Sequence, residues 1–265
     1  MFTDRRVFLG VSAMLFAASA ALTVAWGGAM AATGGMWMPG GWTMSMAWMR
    51  MPGQSWPGAA ASFLGMWTVM TAAMMLPSLV PTLERYRRAA AEAAAGRLGR
   101  LTALVGLGYF AAWIGFGAAV YPVGVALAEV AMRWPALSRA VPIAVGVVVL
   151  MAGALQLTGW KARRLACCRA SAAAGASGAG RAGPVRAGAA WRYGLRLGLD
   201  CGRCCSGPMA GLLVLGVTDL SAMALVTAAI TAERLAPAGE RVARGIGVLG
   251  IEAGLFLVAR AAWLG

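Results

Sequence analysis

Residues 62–83 read SFLGMWTVMTAAMMLPSLVPTL and contain no charged side chain. A helix rises about 1.5 Å per residue, so about 20 residues of this kind cross a hydrocarbon core about 30 Å thick. The stretch predicts a transmembrane helix. Its apolar run is continuous and rich in Ala, Leu and Met, which argues against a barrel strand alternating with period two. Five further stretches share the pattern: 7–26, 101–127, 140–160, 208–231 and 245–264. The expected fold is all-α, a polytopic membrane helix bundle of about six transmembrane helices. Across 265 residues, 60% of side chains are apolar and 12% charged, which excludes an ordinary soluble domain.

The net charge of +14 is concentrated, since 16 of the 23 Lys and Arg fall before residue 7, within 84–100 or within 161–207. By the positive-inside rule these segments and both termini are cytoplasmic, the Met-rich first loop faces outward, and the basic segments meet an anionic lipid surface. Nothing resembles a nucleic-acid motif, so the expected partners are the lipid bilayer, a metal ion and a metal-donating or metal-accepting protein. Residues 1–61 divide into an N-terminal anchor helix, or signal peptide, followed by the outward Met/Trp-rich loop. Residues 62–265 form a membrane helix domain with a flexible Ala/Gly/Ser linker near 170–190. Glu84 and Arg88, four apart, suit a helix that continues past the second span.

The chain has no His, which removes the commonest general base and zinc ligand together with every Ser/His or Cys/His catalytic pair. Ordinary hydrolase chemistry is therefore not expected. Sulfur is abundant instead, as 17 Met and 5 Cys, and soft sulfur ligands suit Cu(I). Met30, Met36, Met38, Met44, Met46, Met49 and Met51 crowd one short outward loop. That is about fivefold above the chain's own Met frequency. Thioethers there could collect Cu(I), with Trp37, Trp42, Trp48 and Trp56 over the cation, or these residues could simply lie on the bilayer surface. Met66, Met70 and Met74 share a helix face, with Met75 beside them, and serve either packing or a pathway. Pro77 and Pro81 each remove a backbone donor near one end of that helix.

Cys201, Cys204 and Cys205 fall at i, i+3 and i+4, so on a helix three thiols share one face and could close a trigonal Cu(I) site. Cys167 and Cys168 also lie on the expected cytoplasmic side, where thiols stay reduced. Cys201-x-x-Cys204 reads equally as a dithiol redox pair, so a membrane thiol–disulfide oxidoreductase is the competing class. Asp219, Glu252 and Arg260 lie within expected spans, where charge is costly, so they should face the bundle. They suggest a third reading, a small-solute permease. Gln156, Thr158 and Lys161 add polar groups at the cysteine level, and Gly250-x-x-x-Gly254 is a close-packing motif.

Met66-Trp67-Thr68-Val69-Met70, Ala73-Met74-Met75-Leu76-Pro77-Ser78, Gly108-Tyr109 with Trp113, and Gln156-Leu157-Thr158 with Lys161 follow one another in the chain. Cys168-Arg169, Cys201-x-x-Cys204-Cys205 and Glu233-Arg234 then complete the order. This order resembles the bacterial predicted metal-binding integral membrane proteins, some of which are labelled copper chaperones, over about residues 60–245. The resemblance implies a multi-pass protein of the bacterial inner membrane with a metal role and no settled reaction; with the sulfur content, the expected metal is Cu(I) and no catalytic residue is expected. The matching positions are Met70, Met74, Met75, Gln156, Lys161, Cys168, Cys201, Cys204 and Cys205. Arg164 stands where the family usually carries another Cys, Asp219 where Asn is expected and Ser206 where an aromatic is common.

Overall fold

The computed structural model describes residues 2–32, 34–51, 53–91, 94, 96–178 and 186–264. It is all-α apart from one short hairpin. The helices are α1 (Phe2–Ala32), α2 (Trp56–Ala90), α3 (Leu98–Arg133), α4 (Pro135–Gln156), α5 (Gly159–Gly178), α6 (Ala187–Gly216), α7 (Leu220–Leu235) and α8 (Gly239–Leu264). Five of them, α1, α2, α3, α4 and α8, are long and apolar enough to cross a membrane.

The expected fifth span, 208–231, is not one helix. Gly216 takes φ 134°, a left-handed geometry that glycine tolerates, and α6 ends there. The Asp219 carboxylate then accepts from the backbone N–H groups of Ser221 and Ala222 and caps α7. The chain folds back, so that α7 packs against α6 and α2. One end of the bundle is marked by Asp4 against Arg87 at 2.7 Å and Arg5 against Glu84 at 2.5 Å. The other carries the hairpin. α8 runs antiparallel to α4, with Gly250 and Ile251 against Gly153, Gly254 against Leu150 and Val258 against Gly146. Its last turn therefore points toward the Ser138 end of α4, where the hairpin docks. The two termini lie at opposite ends, which corrects the expectation of one shared side. The expected Gly250-x-x-x-Gly254 contact is present: a Cβ on Gly153 would stand 2.6 Å from the Ile251 nitrogen, so only glycine permits this crossing.

The Met-rich loop folds on itself. Strands β1 (Met36–Met38) and β2 (Trp42–Met44) pair antiparallel around Pro39-Gly40-Gly41, and a single 3-10 turn (Met46–Trp48) follows. Gly40 and Gly41 have φ 102° and 73°, and the Trp42 indole donates to the Ser138 carbonyl at 2.9 Å. Met38 and Met44 are buried in a small cluster with Ala128 and Ala131 of α3. α4 stops at Gln156, earlier than the expected 160. Helix covers 170–178 and 187–190 of the stretch read as linker, while 179–185 lie outside the described residues.

The expected placing of three charges changes as well. Asp219 is exposed, and the Ser221 hydroxyl and the two amides hold its carboxyl below the usual carboxylate range. Glu252 and Arg260 are exposed on α8 instead of facing the bundle. The local reason for Asp219 is capping: four amides at a helix start lack partners, and a carboxylate satisfies two of them.

Candidate metal centre

α6 packs parallel to α3 with almost no gap. A Cβ on Gly108 would meet the backbone of Trp191 and Leu195, one on Gly198 the backbone of Tyr109, and one on Gly202 the Phe116 ring. These glycines let α6 sink into the core, so that Cys201, Cys204 and Cys205, on one face as their spacing predicts, are all buried.

Their neighbours come from four other helices. The Tyr109 hydroxyl donates to Cys201 Sγ at 3.0 Å, and an Arg234 guanidinium N–H donates to the same sulfur at 3.2 Å. Cys201 Sγ lies 3.8 Å from Cys205 Sγ and 4.0 Å from Met75 Sδ. Cys168 of α5 and Cys204 are buried in the same core cluster as Cys201, Cys205 and Met75. Arg234 is held by the Ser78 hydroxyl at 2.8 Å, one residue past the Pro77 that the sequence singled out. Four of the five cysteines and Met75 thus meet in one buried sulfur cluster. Cys167 faces outward, so Cys168 is the α5 thiol that joins.

Beside the sulfurs sits a buried ion pair. Lys161 Nζ lies 2.7 Å from Glu233 Oε2, both side chains are 2% exposed, and the Gln156 amide donates to the other Glu233 oxygen. Lys161 also donates to the Cys204 carbonyl at 2.8 Å. Pro208 explains that bond: it has no N–H for the carbonyl four residues earlier, which is that of Cys204. The lysine takes the place of the missing helical donor and so ties the start of α5 to the cysteine turn of α6.

Met66, Met70 and Met74 lie in the same core, so the stripe on α2 faces inward. Met44 belongs to the separate hairpin cluster, Met49 packs against it, Met46 is half-buried and Met51 is exposed. The structure does not bring these loop thioethers to the cysteines. Tyr109, Glu233 and Arg234 were named by the sequence only inside the signature order. A signal for the last two was available: Glu233-Arg234 is a charged pair in the otherwise uncharged 220–235 stretch, where charge demands a partner.

A family model described as copper chaperone (PpoB2) matches residues 64–257. The chain belongs to this copper chaperone family. No curated protein and no solved structure shows significant similarity to it. The match to the copper chaperone family takes in every helix that contributes to the sulfur cluster and leaves out α1, the hairpin and the last turns of α8. Among the described residues, no group of three or more His, Cys, Asp or Glu is arranged to hold a metal ion. The thiols are instead bonded to one another, to Tyr109 and to Arg234, with a thioether as the nearest further sulfur.

Proposed function

We propose that this copper chaperone family member is an integral protein of the bacterial inner membrane that binds Cu(I) as cargo and passes it to or from a partner protein. The observation that carries the reading is the pair of separations at Cys201, 3.8 Å to Cys205 and 4.0 Å to Met75. Sulfurs that share a metal in a trigonal plane with bonds of about 2.3 Å stand about 4 Å apart. With their protons released on binding, the Cys201 and Cys205 thiolates and the Met75 thioether would be the ligands of such an ion. Cys204 and Cys168 lie in the same buried cluster and offer two further thiols.

The basic segments support the orientation. Arg97 and Arg100 at the start of α3 lie at the same end as Arg192 and Arg196 of α6, because the two helices run parallel from there. That end is cytoplasmic on the positive-inside rule, where thiols stay reduced. The protein acts as a carrier of metal and not as an enzyme. The permease reading loses its two residues, since Asp219 caps a helix and Glu252 faces away from the bundle.

The deciding measurement is metal content per chain after anaerobic purification in detergent from copper-supplemented cells, beside a Cys201→Ser/Cys204→Ser/Cys205→Ser variant. Wild type should retain Cu(I), and one ion per chain more than the variant. No copper in either, with a Cys201/Cys204 or Cys201/Cys205 disulfide that cycles on reduction, would replace this reading by the thiol oxidoreductase.

A further inference from the structure

On the hairpin side of the sulfur cluster, the core contains a cavity of about 10 Å³ between α2, α7 and α1. Three thioethers line it: Met66 and Met70 of α2, and Met223 of α7. Trp26 and Thr23 of α1 and Thr218 of the α6–α7 turn complete its wall. The three methionines are 8%, 1% and 7% exposed, so their sulfurs belong to the interior. Met66 and Met70 are one turn apart on a shared face. Met223 reaches the cavity because Asp219 starts α7 there, with the Met223 amide bonded to the Asp219 carbonyl at 2.9 Å. Methionine is the flexible filler of irregular cores, so three of them around a gap that none fills is an arrangement packing alone does not favour. The space holds about one water-sized sphere.

We propose that Met66, Met70 and Met223 form a second Cu(I) site, made of thioethers only, which receives the ion before the cysteines do. The inference rests on the Cu(I) reading above and adds to it a separate site and a residue, Met223. Thioethers are neutral soft donors; they bind Cu(I) without losing a proton and release it readily to thiolates. Trp26, an aromatic residue of the kind that can bind a cation, lies in the same wall. From Met70 the α2 stripe continues through Met74 to Met75, whose sulfur is 4.0 Å from Cys201. The helix thus provides a sulfur at each turn between the two sites. α1 forms one wall of the thioether site and supplies none of the cysteine cluster's hydrogen-bond or sulfur contacts, so the N-terminal helix acts as the cover of the thioether site.

Anaerobic Cu(I) titration of the intact chain in detergent, in competition with a chromophoric Cu(I) chelator, tests this. Four forms are compared: wild type, Cys201→Ser/Cys204→Ser/Cys205→Ser, Met66→Leu/Met70→Leu/Met223→Leu, and the two sets combined. Met and Leu are close in volume, so the methionine set keeps the packing. Wild type should bind two ions. The cysteine variant should keep one, at least about tenfold weaker and with an affinity unchanged between about pH 6 and about pH 8, because no proton leaves a thioether. The combined variant should bind none. Wild type binding one ion with the cysteine variant binding none overturns the second site and leaves the thiol reading standing. An ion retained by the combined variant overturns it too, by placing the residual site elsewhere. A wild type that binds no Cu(I) overturns both.

Discussion

Tyr109 on α3 and Cys201 on α6 are joined by a hydrogen bond of 3.0 Å between groups fully removed from solvent. Arg234 of α7 reaches the same sulfur at 3.2 Å. One thiol therefore fastens α3 to the consecutive helices α6 and α7, and it does so where the sulfurs gather.

Replacing Tyr109 by Phe deletes one donor and keeps the ring. Because Arg234 still serves the sulfur, the loss should be that of a single buried hydrogen bond, about 1 kcal/mol. Thermal unfolding in detergent should show a shift of a few degrees. A variant that does not fold would mean the hydroxyl organises more than this one contact.

The Lys161–Glu233 pair should behave as a buried ion pair. Lys161→Met or Glu233→Gln alone leaves a charge without its partner and should cost about 3–5 kcal/mol, whereas the double change should cost less than the sum. A second cycle isolates the carbonyl contact: with Pro208→Ala, the Cys204 carbonyl regains a helical donor, and Lys161→Met should then cost less than in wild type. Denaturant titrations of the single and double variants give both coupling values, and strict additivity would contradict the contacts described.

The α4–α8 crossing depends on glycine. Gly153→Ala places a methyl 2.6 Å from the Ile251 nitrogen and 2.8 Å from the Gly247 carbonyl oxygen, so it should destabilise by about 1–3 kcal/mol. Gly10→Ala, where a Cβ meets nothing within 4 Å, should be neutral or stabilising. Equal effects of the two on the melting temperature would be incompatible with the packing.

Thiol accessibility separates Cys167 from the rest. Native protein treated briefly with an alkylating reagent should gain one adduct, at Cys167, and five after denaturation. Peptide mass spectrometry reads the position. Rapid native modification of Cys201 or Cys205 would mean that the sulfur cluster opens to solvent.

Much of the site was legible before any coordinates. The i, i+3, i+4 spacing of Cys201, Cys204 and Cys205 put three thiols on one face, and the 3.6-residue period turned Met66, Met70 and Met74 the same way. The Glu84–Arg88 pair formed as expected, at 2.7 Å. Less legible was the partner of each group. Nothing local says that Tyr109 donates to Cys201 or that Lys161 meets Glu233, because those pairs depend on which helices lie side by side. The packing of the outward loop was illegible for the same reason: its Met enrichment was plain, but not that Met44 is 2% exposed and packs with Ala128 and Ala131. The break inside 208–231 had a signal in Gly216-x-x-Asp219-x-Ser221, but the unbroken apolar run around it masked the cap.

Hydropathy and helical period are properties of neighbouring residues along one chain, and they determined the all-α class, most of the long apolar helices and the faces carrying sulfur. The tertiary structure decided what those faces meet. Close approach at Gly108, Gly198 and Gly202 sinks α6 against α3, and the fold-back at Gly216 brings Glu233 and Arg234 down to the cysteine turn. Burial then favours partners for the polar groups there, such as Tyr109, Lys161, Glu233 and Arg234, since one left unpaired in an apolar core costs more than a hydrogen bond returns.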